Sequence, residues 1–459
     1  MKITFKTFLI ASFLFGGAFY GNAQTKEQRE KIISSYDLGK LEDMRVQFED
    51  DYLANKAKAY EMAEIKNWPL TIKDKDGSIS SLQGVFEDGT PMYYSTENRG
   101  ATRTIRAHHV NSSGSLGLNI NGQNMIAGVW DGGPVRITHV DFEGRAIQKD
   151  GIVFAVSDEG NDHATHVTGT IIANNANNNV NVKSAAFQAT AWCNDWDNDT
   201  SELVGQASEG LLVSNHSYGL RADLLASWQF GSYSSQSRQW DQIAFNAPYL
   251  QVVKSAGNDR GTFTYKGGYD LITGVGVSKN VMTIGAISVP SNNYTNAASV
   301  EMSSFSNWGP VDDGRVKPDI VAKGVDVLST SSFSNTTYIS KSGTSMSSPS
   351  VAGGLTLIQQ YYNSVNNSFM RAATLKGLVV HTASEAGTAD GPDYKFGWGL
   401  LDVRNSVILI RDRGLNSTID ERVLNQGATY TFNVTAQGGS IPLVATISWT
   451  DPAGAVVNT

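Results

Sequence analysis

The sequence predicts an α/β fold built on a doubly wound, mostly parallel sheet with helices on both faces. Two observations predict it. From about residue 124, short apolar runs alternate with stretches of helical periodicity, and alternating strands and helices are typical of a parallel sheet. The apolar runs show no regular polar alternation, as expected of strands that are buried on both faces.

Each element of this region is predicted from its own residues. The strand candidates are short runs without clear polar alternation at 125–130, 185–192, 211–215, 251–255 and 281–287. Helices are predicted to begin near His163, Ser201 and Trp240, and a longer one at Ser345. In sheets of this kind, binding sites form at the carboxyl ends of the strands. Asp131 directly follows the first predicted strand.

An N-terminal α+β segment, residues 24–105, precedes the sheet. Residues 25–66 are charged and carry apolar residues at helical spacing, which predicts one or two amphipathic helices. The runs 79–86 and 91–94 flank a turn that contains Asp-Gly. This pattern is typical of a β-hairpin.

Residues 1–23 are predicted to be a secretory signal peptide. A basic start with Lys2 and Lys6 precedes an apolar run, and small residues follow it up to Ala23. That run is too short to cross a membrane comfortably, and the sequence contains no longer one. We therefore expect a secreted protein, extracellular or on the cell surface, without a membrane span.

Composition excludes some partners and bonds. The formal net charge is −8 and no basic cluster is present, so the charge pattern does not support nucleic acid as a partner. Cys193 is the only cysteine, which excludes an intramolecular disulfide. The acidic stretch 195–202 has oxygen ligands that suit structural calcium, but it lacks the glycine and spacing of an EF-hand loop. A helix-capping loop explains it equally well, so the sequence assigns no metal ligand.

Three short windows supply an acid, a base and a nucleophile, in that order. Val-Trp-Asp-Gly-Gly contains Asp131, Asp-His-Ala-Thr-His contains His163, and Gly-Thr-Ser-Met-Ser-Ser-Pro contains Ser345. A serine hydroxyl is too weakly acidic to attack an amide unaided, so it needs an imidazole to take its proton and a carboxylate to hold that imidazole. Each residue alone has an ordinary explanation as a turn aspartate, a helical histidine or a capping serine. Together they predict nucleophilic catalysis.

Two other kinds of site fit these windows less well. An α/β-hydrolase, such as a lipase or esterase, has the chain order Ser, acid, His and a Gly-x-Ser-x-Gly elbow, and neither is found around Ser345. A zinc peptidase needs His-Glu-x-x-His, with its histidines four residues apart. His163 and His166 are only three apart.

The windows resemble those of the subtilases, the subtilisin-like serine peptidases. The string Gly-Thr-Ser-Met-Ser-Ser-Pro-Ser-Val-Ala-Gly at 343–353 is highly specific to that family. The resemblance implies that Asp131 orients His163, that His163 acts as general base and then general acid, and that Ser345 is the nucleophile. It implies a packing role for His166. Gly132 stands where the family usually carries a hydroxyl residue.

The same resemblance implies the rest of the site. Asn258 ends a segment that matches the family's oxyanion hole, so its amide is expected to donate to the tetrahedral oxyanion. Another segment matches the strand that pairs with an extended substrate backbone, and Gly219 and Gly257 would flank the pocket for the residue before the scissile bond. The expected substrate-binding residues are Ser217, Tyr218, Gly219, Ser255, Ala256 and Gly257.

The resemblance also implies a domain organisation. The peptidase domain would span 106–408 and close with the glycine-rich stretch 391–399. Residues 24–105 would be a propeptide that blocks the cleft, or an accessory segment that is never removed. Alternating residues at 429–434 and 443–449 predict strands, so 409–459 is expected to be the start of a β-sandwich domain, apparently truncated.

The sequence therefore predicts a secreted serine endopeptidase, made as a zymogen, that hydrolyses peptide bonds through an acyl-enzyme intermediate. Its partners would be protein or peptide substrates and its own N-terminal segment as an intramolecular inhibitor. The chemistry requires no cofactor. The alternative is a catalytically silent protein of the same fold, serving as an adhesin or scaffold. The presence of the acid, the base, the nucleophile and Asn258 favours the enzyme.

Overall fold

The structure is a computed structural model. It describes residues 24–73, 79–96, 103–176, 182–289, 294–436, 438–439 and 442–456. The predicted signal peptide lies outside the described residues.

Helices and strands alternate through the central region, as expected. The helices are α1 (Lys26–Ile33), α2 (Leu38–Lys66), α3 (Glu159–Ile172), α4 (Asp199–Ser208), α5 (Ser235–Asn246), α6 (Thr344–Asn366), α7 (Ala372–Thr382) and α8 (Val403–Arg411). The strands are β1 (Thr71–Lys73), β2 (Ile79–Val85), β3 (Pro91–Thr96), β4 (Ile126–Asp131), β5 (Ala146–Gln148), β6 (Thr190–Asp195), β7 (Val213–His216), β8 (Tyr218–Leu220), β9 (Gln251–Ser255), β10 (Met282–Val289), β11 (Glu301–Met302), β12 (Ile320–Lys323), β13 (Val327–Thr330) and β14 (Tyr338–Lys341).

The central sheet confirms the predicted doubly wound architecture. Its strand order is β11-β10-β9-β7-β4-β6-β5, and β12 also pairs with β10. The pairs are parallel except that between β10 and β11. After β4 the chain adds β5 and β6 on one side and then β7 and β9 on the other. Strand order therefore reverses at β4, and a crevice for ligands is expected at the carboxyl end of this strand.

Burial explains why the strand candidates lacked polar alternation. Every residue of β4, β7 and β9 is buried, so both faces of the sheet centre are covered. Helices α3 and α6 pack against each other and against these strands, while α4 packs against α5.

One predicted strand is displaced. The apolar run 185–192 was expected to be a strand, but β6 begins only at Thr190. Residues before it form a turn in which Ala189 N donates to Ala186 O at 2.8 Å and Gln188 N donates to Asn121 O at 2.8 Å. The run is apolar because Ala185 and Ala186 are buried in this turn, and burial alone does not distinguish a turn from a strand.

The N-terminal segment contains two helices and the predicted hairpin. Strands β2 and β3 pair antiparallel, with Ser81 opposite Tyr94 and Val85 opposite Pro91. The hairpin belongs to a second sheet of order β1-β2-β3-β8, and helix α2 packs on β2 and on α4. The segment therefore shares a sheet with the strand that follows β7.

The strands predicted at 429–434 and 443–449 do not form. The structure assigns neither range to a strand, and most of their side chains are exposed. Polar alternation produces a strand only where a neighbouring strand pairs with its N–H and C=O groups. The β-sandwich domain predicted from residue 409 stays a prediction. No helix within the described ranges is both long and apolar enough to span a bilayer.

Candidate active site

Asp131 and His163 meet at the carboxyl end of β4. Asp131 is its last residue, and His163 lies one turn into α3, whose first turn is capped by the Asp158 carboxylate accepting from Asn161 N at 2.8 Å. His163 Nδ1 donates to Asp131 Oδ1, and both side chains are buried. Gly132 N donates to the same oxygen at 2.7 Å. The imidazole is therefore held with Nδ1 toward the carboxylate.

The residue that follows Asp131, Gly132, affects the hydrogen bonding of the second carboxylate oxygen, Oδ2. Asp131 Oδ2 is buried and has no hydrogen-bond partner among the described residues. Gly132, where the family usually has a hydroxyl residue, offers no side-chain donor. Among the described residues, only Oδ1 of this carboxylate accepts hydrogen bonds.

His166 has a different environment from His163. Its Nε2 lies 3.2 Å from Val327 O and 3.1 Å from Ile339 O, so it can donate to the β13–β14 hairpin. Burial lowers the pKa of His166 to about 3, which keeps the ring neutral. This environment suits the packing role expected of His166.

Ser345 is the second residue of α6 and is fully buried. Its hydroxyl donates to Ser217 O at 2.8 Å, and the Ser217 hydroxyl donates to Ser345 O at 2.9 Å. The helix begins at Thr344, so Pro349 lies in its second turn. Proline has no N–H to bond the carbonyl four residues earlier. That carbonyl belongs to Ser345, and Ser217 satisfies it instead.

Asn258 is oriented by the same helix start. Its Oδ1 accepts from Thr344 N at 2.9 Å and from Thr344 Oγ1 at 3.0 Å, which directs the Nδ2 amide hydrogens elsewhere. Thr344 Oγ1 also accepts from Gly257 N at 3.1 Å. Gly257 has φ of +100°, and a Cβ there would lie 2.4 Å from Asn307 Nδ2. Only glycine fits this turn without strain.

The predicted substrate strand is paired with the N-terminal segment. Gly219 lies opposite Ser95, and Tyr218 lies opposite Thr96, in the antiparallel pair of β8 with β3. The Tyr218 side chain is buried and its hydroxyl donates to Asp199 Oδ2 at 2.7 Å. Tyr218 therefore presents its backbone, not its ring, to the strand beside it.

The predicted segment 255–257 lies next to this strand. Ser255 ends β9, and its hydroxyl donates to His216 O at 3.5 Å. Ala256 is buried, and its N–H donates to Ile284 O at 3.0 Å. Lys254, which the sequence analysis did not single out, places its ammonium 3.1 Å from Ser255 Oγ. Lys254 follows Val252 and Val253 in a predicted buried strand, and a charged residue at such a position was the signal that could have identified it.

The acidic stretch 195–202 is tied to neighbouring groups of the protein. Burial raises the pKa of Asp195 to about 7, of Asp199 to about 6 and of Glu202 to about 9. Asp197 pairs with Lys56 of α2 at 3.2 Å. In the part of the chain that the structure describes, no three His, Cys, Asp or Glu side chains are grouped as metal ligands would be.

The structure thus brings the candidate residues to one edge of the sheet. Asp131 and His163 form a buried hydrogen-bonded pair, and Ser345 and Asn258 lie together at the start of α6 through Thr344. The segments 217–219 and 255–257 border the helix start. A helix amino terminus favours developing negative charge.

Comparisons with known proteins identify a matching family and several similar proteins. Residues 122–399 match the model of the subtilase family. A C5a peptidase of Streptococcus pyogenes serotype M18 (strain MGAS8232) is 50% identical over 66 residues, which cover 14% of this chain and 6% of that protein. A PII-type proteinase of Lactococcus lactis subsp. cremoris is 43% identical over 81 residues, which cover 18% of this chain and 4% of that protein.

A solved structure is also similar. The self-cleaved protease domain of PatA aligns with a TM-score of 0.48 at 19% identity, covering 63% of this chain and 97% of that one. The stretches shared with the curated relatives are small parts of those proteins' lengths, whereas the family model spans more than half of this chain. The chain belongs to the subtilase family.

Proposed function

We propose that this protein is an exported serine endopeptidase that hydrolyses peptide bonds in proteins through an acyl-enzyme intermediate. The main observation behind this proposal is the buried hydrogen bond between Asp131 and His163. It lies at the same edge of the sheet as Ser345, which is in the first turn of α6. Export rests on the predicted signal peptide.

His163 would act as the general base. Rotation of the Ser345 side chain about its Cα–Cβ bond would move Oγ from Ser217 O toward the imidazole, which takes the proton as Oγ attacks the substrate carbonyl carbon. The Asp131 carboxylate would stabilise the imidazolium that forms. The same proton then goes to the leaving amine, whose departure leaves the acyl group on Ser345 Oγ. Water attacks that ester with His163 again as base.

Asn258 would stabilise the oxyanion of the tetrahedral intermediate. Because Thr344 holds Asn258 Oδ1, the Nδ2 amide keeps one orientation. The backbone N–H of Ser345, at the start of α6, would be a further donor. The site would therefore need no metal ion to stabilise the developing charge.

Asn258→Ala is expected to lower kcat by about a hundred- to a thousandfold, because the buried site loses a donor aimed at the oxyanion. The measurement is steady-state hydrolysis of a peptide anilide, with KM expected to change little. Asn258→Asp is the matched control, since it keeps the Oδ1 acceptor for Thr344 and removes the donor. Wild-type kcat in Asn258→Asp would assign Asn258 a capping role only.

The N-terminal segment, residues 24–105, would act as an intramolecular inhibitor. Strand β3 pairs with the edge of β8 along which an extended substrate would pair. Next to this edge, Arg221 N already donates its hydrogen bond to Tyr93 O at 2.9 Å. A backbone N–H has one strong acceptor at a time, so β3 and a substrate paired along that edge would exclude each other. Contacts of α2 with α4 would hold the segment in place, together with the ion pair between Lys56 of α2 and Asp197, which lies just before α4.

Cleavage of the chain between 96 and 103 is expected to accelerate labelling of Ser345 by a fluorophosphonate at least about tenfold. A tethered segment acts at an effective concentration of about 1 mM, and cutting the tether lets it leave. The cut is made by a cysteine peptidase whose recognition sequence is inserted there, and a chain with a scrambled insert is the control. The labelled residue is identified by mass spectrometry.

This experiment tests the inhibitor and the peptidase separately. Equal labelling before and after the cut would contradict the inhibitor. Absence of labelling after the cut would contradict the peptidase and favour a catalytically silent protein of this fold.

A further inference from the structure

Lys254 is a buried cation inside the sheet, next to the candidate active site. Strands β7 and β9 run parallel, and His216 opposite Lys254 is their last pair. Beyond this pair the two segments diverge, because Tyr218 pairs with β3 while Ala256 N donates to Ile284 O and continues the pairing of β9 with β10. The pairing of β7 with β9 therefore ends before residues 217–219 and 255–257, and we call the space between these two segments the crevice.

The Lys254 side chain reaches into this crevice. Its Nζ lies 3.1 Å from Ser255 Oγ and 3.4 Å from Ser255 O on one wall. On the other wall it lies 5.3 Å from the centre of the Tyr218 ring and 3.7 Å from the point where a Cβ on Gly219 would be. The residue is only 3% exposed, so solvent screens its charge poorly.

Both walls of the crevice contact the nucleophile's helix. Ser217 exchanges hydrogen bonds with Ser345, and Gly257 N bonds Thr344 Oγ1. A substrate carbonyl held between Ser345 Oγ and the Asn258 amide therefore has its own residue's side chain at the mouth of the crevice. That side chain belongs to the residue immediately before the scissile bond.

We propose that Lys254 makes the peptidase select an acidic residue, glutamate or aspartate, immediately before the scissile bond. This inference rests on the proposed function. A carboxylate that enters between the two walls approaches the Lys254 ammonium in a site of low exposure, where charge pairing is strong. A neutral side chain of the same shape gains no such interaction, and a lysine or arginine side chain is repelled.

The test uses the full chain after the cut between 96 and 103. The substrates are tetrapeptide anilides that differ only in the last residue, which is Glu, Gln, Leu or Lys. Glutamate and glutamine have nearly the same shape, so their ratio of kcat/KM isolates the charge. We expect wild type to prefer Glu over Gln by at least about tenfold, a factor that one close charge pair can supply.

Lys254→Met removes the charge and is expected to bring the Glu to Gln ratio close to one, while Lys254→Arg keeps most of the preference. The ratio is taken within one preparation, so a partly misfolded variant does not distort it. Lys149→Met is the matched control, because Lys149 pairs with Glu209 at 3.0 Å on the surface of the molecule, outside the crevice. That variant should keep the wild-type ratio.

Each outcome decides the inference. Labelling of Ser345 without a preference for Glu in wild type would overturn it and leave the peptidase standing. A preference that survives in Lys254→Met would assign the selection to another group and also overturn it. Absence of both labelling and hydrolysis would overturn the peptidase and this inference with it.

Discussion

Ser345→Ala is expected to lower the rate of peptide hydrolysis about a millionfold, the order of magnitude known for loss of the nucleophile in subtilisin. Without Oγ no acyl-enzyme can form, and the remaining oxyanion donors give only the residual acceleration over water. The measurement compares initial rates on casein and on a peptide anilide at equal concentrations of folded protein.

Ser350→Ala is the matched control for Ser345→Ala. Ser350 lies in the same helix, and its buried hydroxyl has no hydrogen-bond partner among the described residues. Removing an unpartnered hydroxyl should cost little stability, so Ser350→Ala should retain near wild-type turnover. A loss of only a few fold in Ser345→Ala would mean that another group is the nucleophile.

Asp131→Ala is expected to lower kcat about ten-thousandfold, again by comparison with subtilisin. The variant removes the acceptor that holds His163 Nδ1 and the charge that stabilises the imidazolium. Combined with Ser345→Ala it should cause little further loss, because the triad acts as a unit. Single- and double-variant turnover, measured on one anilide, checks both statements.

Glu202→Gln is the control for loss of a buried carboxyl group. Burial raises the pKa of Glu202 to about 9, so this side chain is already neutral at pH 7, and it accepts from Trp130 Nε1 at 2.9 Å. Replacement by the neutral amide should leave turnover nearly unchanged. If Asp131→Ala lost no more activity than Glu202→Gln, Asp131 would not be the acid of the site.

The central fold was predictable because its signals are local. A strand buried on both faces lacks regular polar alternation, and β9 was predicted with the bounds that it has. Helix α3 follows a capping aspartate, Asp158, and α6 begins one residue before Ser345. The run 185–192 and the alternating stretches near the end of the chain were assigned wrongly, because burial and pairing depend on neighbours that a local pattern does not contain.

The candidate site was predictable only as a set of residue types. The motifs identified Asp131, His163, Ser345 and Asn258, because these residues lie in short windows that resemble those of the subtilases. The windows do not say that the Ser345 hydroxyl donates to Ser217 in this state, or that Asp131 Oδ2 lacks a partner among the described residues. They also do not say that the Lys254 ammonium lies close to both Ser255 and Gly219.

The sequence by itself determined the fold class, the identity of the chemical groups and their assignment to strand ends and helix starts. These features follow from short apolar runs, from a helical periodicity of about four residues and from contiguous motifs, all of which are local in the chain. Only the tertiary structure decided which groups contact one another. Ser217 and Ser345 are 128 positions apart in the chain, and β3 reaches β8 across more than a hundred residues. Such contacts depend on how the strands are ordered in space, which no local pattern encodes.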